Sequence, residues 1–580
     1  MKSTHSIPLL LLLISAPAVG SETKDQARWR QPVSLVRPTG SPFIYVGNGR
    51  SGSVSLLDST QRKVVAEFNV AKRIAKLARL NAVVTDRLLA IDDQASEVVL
   101  LGIGQRTVKR LAALAVAKAP RGMAVLNSGK SAVVSSTWAR RLTFVDIVGQ
   151  RLVVKGIVDL PFSPQELVLF SNDRYVLAAD AFGGQLAVIG VRQKKLEAVM
   201  QLQGHKLRGL SASRDGRSIW VPQQLLFAKN YTSRDAVHWG GVMKNVVRRI
   251  PTRSLLKGMI SRVAEAGQTT FLGYPDAAAG DPEGFLTTSK GRQVIALSGV
   301  DQVAVSEVGG TVIRIDVGHR PTSLLLDKAE QNVWVANTFD DTVSLVRLRN
   351  PRVVGKVSLG PARKLKLVEK GERLFFAANL SSDGWFSCHS CHVDGHTNHR
   401  LNDNFGDQTT GAPKRVLSLL GVGHTGPWAW NGKVNSLEKQ IERSILATMQ
   451  GPKPKRREVA AIAKYLNSLS NPPPVTVARS HRDKPTVERG KKLFGRLSCT
   501  NCHSRPNFTS AGRYDVGLTD QRGETEFNPP SLIGVGHRRN LFHDNRGRSL
   551  RDVFRRYRHG LKRKLKANEE DDLLAYLKSL

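Results

Sequence analysis

From about residue 35 to residue 375 one short β-rich phrase returns seven times, and nothing else in the chain restricts its fold so strongly. The phrase reads Phe43-Ile-Tyr-Val-Gly47, Arg87-Leu-Leu-Ala-Ile91, Ala132-Val-Val-Ser-Ser136 and Tyr175-Val-Leu-Ala-Ala179, then Ile219-Trp-Val-Pro222, Val294-Ile-Ala-Leu297 and Val333-Trp-Val-Ala336. Most intervals are about 40 to 45 residues, the period of a four-stranded propeller blade. One blade cannot bury its faces alone, so blades stack around an axis, and seven phrases predict a seven-bladed β-propeller over 35–375. One interval is longer. Its excess, about 228–284, holds His238-Trp239-Gly240-Gly241 and a basic run from Lys244 to Arg253. This stretch reads as a loop leaving the propeller face toward a neighbouring domain, with His238 a structural or surface histidine.

The C-terminal third has a different texture and its own duplication. Ser418-Leu-Leu-Gly-Val-Gly-His424 returns as Ser531-Leu-Ile-Gly-Val-Gly-His537, and Tyr465-Leu-Asn-Ser-Leu469 as Tyr576-Leu-Lys-Ser-Leu580. Cys388-His-Ser-Cys-His392 likewise returns as Cys499-Thr-Asn-Cys-His503. Each copy has a helix-start pattern, Asn435-x-x-Glu438 and Ser549-x-x-Asp552, and Pro472-Pro-Pro474 reads as the linker between them. The expected fold class is multidomain: an all-β seven-bladed propeller, then mainly α tandem domains over 381–470 and 485–580.

Cys-x-x-Cys-His is the attachment signature of haem c. The two thiols bond the porphyrin and the adjacent histidine ligates iron, so His392 and His503 are the expected proximal ligands. Cys388, Cys391, Cys499 and Cys502 are the chain's 4 cysteines, so two covalent haems would use them all. A zinc site built from the two cysteine pairs would ignore both histidines and span a spacer of about 110 residues, far outside zinc-ribbon spacing. The first 20 residues carry Lys2, the apolar run Pro8 to Ile14 and the small residues Ala18-Val19-Gly20. They read as a signal peptide, which places the mature chain in the periplasm or otherwise outside the cytoplasm. No later segment is long and apolar enough for a transmembrane helix. The 87 basic residues outnumber the 48 acidic ones but are spread along the chain, which argues against a nucleic-acid partner and reads first as a generally basic surface; the sharper alternative is attraction to an anionic partner, such as an acidic electron carrier or the cell envelope.

Tyr45-Val46-Gly47-Asn48, echoed at Val333-Trp-Val-Ala-Asn337, resembles the YVTN family of bacterial propellers. Residues from about 381 to 580 resemble the bacterial di-haem cytochrome c peroxidases and MauG, in which the first haem reacts with hydrogen peroxide and the second relays electrons from a donor. The match is carried by Trp430-Asn-Gly432 followed by Leu437-Glu-Lys-Gln440. The resemblance implies that Trp430 lies between the haems, that Gln440 sits in the distal pocket, and that His543 belongs to the second haem's surroundings. It also implies Tyr557 as the second iron's sixth ligand, with His559 as rival. The family's acid/base glutamate is replaced by Thr448, before Met449. Gln440, His424, Glu442 or a water would then have to move the proton, and Met449 could itself ligate the first iron. Arg551, Arg555, Arg556 and Arg558 are candidates for haem propionates or for docking a partner. The family's calcium positions fall on Gly411, Arg538 and Asn540, none of which keeps the family's residue, so calcium is not expected. The implied function is that of an exported di-haem oxidoreductase served by a small redox protein. The alternative is an electron-transfer or redox-sensing cytochrome without peroxidase turnover.

Overall fold

The computed structural model describes residues 27–80, 87–256, 268–306, 310, 312–480 and 484–580; the export signal expected over residues 1–20 lies outside them. From Pro32 to Ser358 the strands form seven four-stranded antiparallel sheets, each made of four consecutive strands. Every repeated phrase is the second strand of its sheet, from Phe43–Asn48 in the first blade to Asn332–Asn337 in the seventh. These strands are sandwiched between neighbouring blades, so both faces are covered: Leu88, Leu89, Ala90 and Ile91 are all fully buried. Burial on both faces demands a continuous apolar run instead of an alternating one. The fourth strands differ. Lys195–Gln201 alternates between exposed and covered residues, and its lysine helps protect an outer edge from further pairing.

The first strands line the axis. Pro321–Leu326 of the last blade packs beside Pro32–Val36 of the first, which closes the ring. The N-terminal segment bolts that junction. Asp341 accepts hydrogen bonds from the backbone of Arg30 and Gln31, both at 2.8 Å, and Arg30 forms a buried ion pair with Glu67 at 2.9 Å.

The stretch expected to leave the propeller as a loop is mostly propeller. Met243–Pro251, which contains most of the basic run, is the third strand of the fifth blade and pairs with Ser218–Leu226. Val246, Val247 and Ile250 face the core and the positive side chains between them masked a strand as a loop. Among the described residues a short excursion leaves the blade around the helix Arg234–His238. There His238 Nδ1 pairs with Asp383 of the C-terminal region at 2.8 Å, a structural contact.

In the C-terminal region the helix Leu367–Phe375 packs on Arg456–Asn467, and Lys484–Arg496 on Ala567–Lys578. The boundary expected at 375 falls at the end of the first of these helices. Both crossings depend on a glycine. A Cβ on Gly371 would lie 1.9 Å from the Ala461 carbonyl oxygen, and one on Gly490 would lie 2.0 Å from that of Asp572. The expected helix start at Ser549 is observed, but in the first copy the N-cap is Ser436, one residue after Asn435. The Pro472–Pro474 linker leads straight into a contact with the propeller, where Arg479 Nε donates to the Ala139 carbonyl at 2.9 Å. Among the described residues no helix is long and apolar enough to cross a membrane.

Candidate functional site

Each Cys-x-x-Cys-His segment lines its own cavity. The first cavity, about 250 Å³, is walled by Cys388, Cys391 and His392 with Trp430, Gln440, Thr448 and Met449. The second, about 200 Å³, is walled by Cys499, Cys502 and His503 with Trp430, His543 and His559. The two cysteine pairs therefore do not meet, which removes the shared zinc site. Burial pushes the thiols of Cys388 and Cys391 up to about 12 and that of Cys499 up to about 11. A reactive dithiol needs the opposite shift.

Both histidines of the motifs are set in the same way. His392 Nδ1 donates to the Leu417 carbonyl at 2.8 Å and His503 Nδ1 to that of Phe508 at 3.1 Å. This bond fixes the ring and leaves Nε2 as the ligating nitrogen. Burial lowers both to about 4, so each is neutral and able to ligate at neutral pH.

Trp430 stands on the wall of both cavities. Its indole N–H donates to the Arg415 carbonyl at 2.8 Å, and its ring meets His543 edge-on at 6.3 Å. His543 stacks on Phe527 at 4.2 Å, and neither of its ring nitrogens has a hydrogen-bond partner. Gln440 also keeps a buried, unpartnered Oε1, while its amide N–H donates to Ser444 at 3.3 Å. Ser444–Thr448 is a π-helical turn, a distortion found often at functional sites. It carries Thr448, whose hydroxyl donates to Asn404 at 3.3 Å.

Residues 365–473 match the family described as di-haem cytochrome c peroxidase. The C-terminal region carries a domain of this peroxidase family. MauG of Methylorubrum extorquens is 26% identical over 33% of this chain and 64% of its own length. A cytochrome c551 peroxidase of Nitrosomonas europaea is 22% identical over 37% of this chain and 79% of its own. The chain thus spans under two thirds of the MauG sequence, and 56% of a cytochrome-c peroxidase of Pseudomonas. Among solved structures, hydrazine synthase of Kuenenia stuttgartiensis superposes with a TM-score of 0.48 at 17% identity, covering 56% of this chain and 97% of that one. Virginiamycin B lyase of Staphylococcus aureus gives 0.40 at 10% identity, covering 55% and 95%.

The residues around the peroxidase-type cavities fit a haem at each motif. Besides the thiols and the neutral imidazoles, two arginines line both cavities, the buried Arg415 and the half-buried Arg538. Burial lowers Arg415 to about 9 and Arg538 to about 10, and Arg415 Nη1 has no hydrogen-bond partner. A guanidinium in this position favours an anion such as a haem propionate. Of the four arginines considered for propionates or partner docking, none stands on either cavity's wall, and two are engaged near the surface: Arg551 pairs with Asp571 at 2.9 Å and Arg555 with Glu570 at 2.8 Å. Nothing in the sequence around Arg415 marked it out, because its role depends on which loop meets which cavity.

Three further expectations change. Tyr557 is not on the second cavity's wall: its hydroxyl donates to the Arg546 carbonyl at 2.8 Å. The cause is local, since Arg558 adopts φ +47° and this left-handed turn sends His559 to the wall instead. His424 is exposed and Glu442 lies off the first cavity's wall. The carboxylate that does line it is Asp407, held by Thr409 at 2.7 Å and Lys414 at 3.2 Å.

Proposed function

We propose that the chain is an exported di-haem c oxidoreductase of the peroxidase/MauG type that uses hydrogen peroxide, with His392 at the reacting haem and His503 at the relaying one. The observation that carries the reading is Trp430, one aromatic ring shared by the walls of both cavities. When bound, haem iron with an open coordination position supplies the redox chemistry on peroxide. The protein groups do the rest. Gln440 presents a free carbonyl to the first cavity, where it orients a small polar ligand by accepting its hydrogen bond. Thr448 is a poor general acid in place of the family's glutamate, so proton delivery falls to Asp407 with Lys414. Trp430 offers a polarisable step between the two sites, and Arg415 and Arg538 hold negative charge next to it. The propeller positions the first motif and offers the surrounding surface to a partner.

The test is a chain matured with cytochrome c assembly machinery. It should stay red after acid-acetone extraction, carry two haems, and show one high-spin ferric haem that reacts with peroxide in stopped flow. Thr448→Glu should speed that reaction by about 100-fold, the lower range of general-acid effects. A second reading rests on Met449, which is buried on the first cavity's wall. If its sulfur ligates the first iron, both haems are low-spin, peroxide only bleaches them, and the protein transfers electrons without peroxidase turnover.

A further inference from the structure

The two cavities are unequal in one respect. The first has His392 as its sole histidine, whereas the second has three, His503, His543 and His559. Of these, His559 faces His503: their ring centres lie 6.5 Å apart with planes inclined at 58°. A metal ion held between two imidazoles needs two bonds of about 2 Å plus about 1 Å from each nitrogen to its ring centre, so about 6 Å in all. The pair is spaced for one iron atom between the rings.

Three other observations agree with that spacing. His559 Nδ1 is buried without a hydrogen-bond partner, so its nitrogen is uncommitted. The left-handed backbone at Arg558 aims it at the cavity. Tyr557 is excluded by Phe542, which lines the wall and meets the Tyr557 ring at 5.2 Å while the tyrosine hydroxyl is spent on Arg546. His543 is turned the other way, stacked on Phe527 and edge-on to Trp430.

We infer that His559 is the sixth ligand of the second haem, which is therefore held by two histidines, His503 and His559. Two neutral nitrogens close that iron to outside ligands, and a filled position favours electron transfer over reaction with peroxide. The division of labour between the sites follows from this asymmetry: peroxide reaches only the first. The inference rests on haem attachment as proposed above. Its failure is distinguishable, since loss of attachment gives colourless protein while a wrong ligand gives fully loaded protein.

Electron paramagnetic resonance of the ferric holoprotein tests it. The wild-type chain should show one low-spin signal of bis-imidazole type. His559→Gly should convert that haem to high-spin with haem content unchanged, and added imidazole should restore the original signal. Tyr557→Phe should leave the spectrum as it is. If His559→Gly lowers the yield of folded protein, His559→Met replaces it: the spectrum should change to that of a histidine–methionine haem, with a raised potential. Retention of the bis-imidazole type of signal in either His559 variant, or its loss in Tyr557→Phe, overturns the assignment.

Discussion

Trp430 is bound on two sides. Its indole N–H is fixed by the Arg415 carbonyl, and the Arg415 guanidinium lies 5.5 Å from the ring centre, where a cation strengthens the hold on a π face. Trp430→Phe keeps an aromatic in place but removes the N–H donor, at a cost of about 1 kcal/mol. We expect two haems per chain and unchanged ligand binding at the first, with electron transfer between the haems slowed about tenfold, a barrier rise of about 1.4 kcal/mol. Stopped-flow spectra of the half-reduced protein would show it, and an unchanged rate would remove Trp430 from the path. Trp430 and Gln440 were singled out together because they lie in one local motif, and both stand on the first cavity's wall. His559 and Tyr557 were not separable, because one backbone angle at Arg558 decides which of them turns inward, and residue types do not report that angle.

At the scale of elements, both helix crossings in the C-terminal region pass through a glycine, and this survives in both copies of the duplication. Gly371→Ala and Gly490→Ala would drive a methyl into a carbonyl oxygen, so the helices must separate. Overpacking of this kind costs about 1–3 kcal/mol. Each substitution should lower the thermal midpoint and lower haem attachment during maturation in its own copy alone, read by loss of one of the two haem signals; equal loss from both would show that the copies fold as one unit. The propeller strands were legible because burial on both faces forces an apolar run. The third strand of the fifth blade was not, since Lys244, Arg248 and Arg249 interrupt it and Arg248 is nonetheless buried. The N-cap at Ser436 was misplaced by one residue because Asn435 satisfies the same pattern.

In the whole molecule the propeller helps to hold the first Cys-x-x-Cys-His motif. Asp281 of the sixth blade accepts from Lys206 at 2.7 Å, from Ser390 at 2.7 Å and from Ser387 at 2.5 Å. His205 Nε2 meets the Ser390 carbonyl at 2.9 Å. Ser390 lies between the two cysteines of the first motif, so a buried ion pair of the propeller grips the short helix that carries them. Burial alone would raise the Asp281 pKa, but Lys206 overturns this and holds the carboxyl below its ordinary value. A depressed folded pKa gives stability that is present above the unfolded value of about 3.9 and is lost as pH falls through the folded one. Asp281→Asn strands a buried cation, which costs about 3–5 kcal/mol. The melting temperature should fall at neutral pH, with a wild-type-minus-variant difference that shrinks below about pH 4; a constant difference would mean that the carboxylate charge is not what matters.

The second motif has the opposite setting, and this decides where a partner can reach the protein. Thr500 and Asn501, between Cys499 and Cys502, are exposed, whereas His389 and Ser390 in the first motif are buried. Lys491, Lys492, Arg496 and Arg505 are exposed beside the second motif, in a chain whose net charge is +39. An electron donor with an acidic face would be drawn to this side, since clustered like charge steers association by about 10- to 1,000-fold. Raising ionic strength from about 0.01 M to 0.15 M shrinks the screening length from about 30 Å to 8 Å. The bimolecular rate of reduction by an acidic redox protein should therefore fall several-fold over that range, while reduction by a small neutral donor stays constant. Lys491→Glu with Lys492→Glu should flatten the salt dependence and slow the acidic donor without changing either haem's spectrum. A rate that ignores both salt and these charges would move the docking site to another face, and the propeller surface would be the next to test.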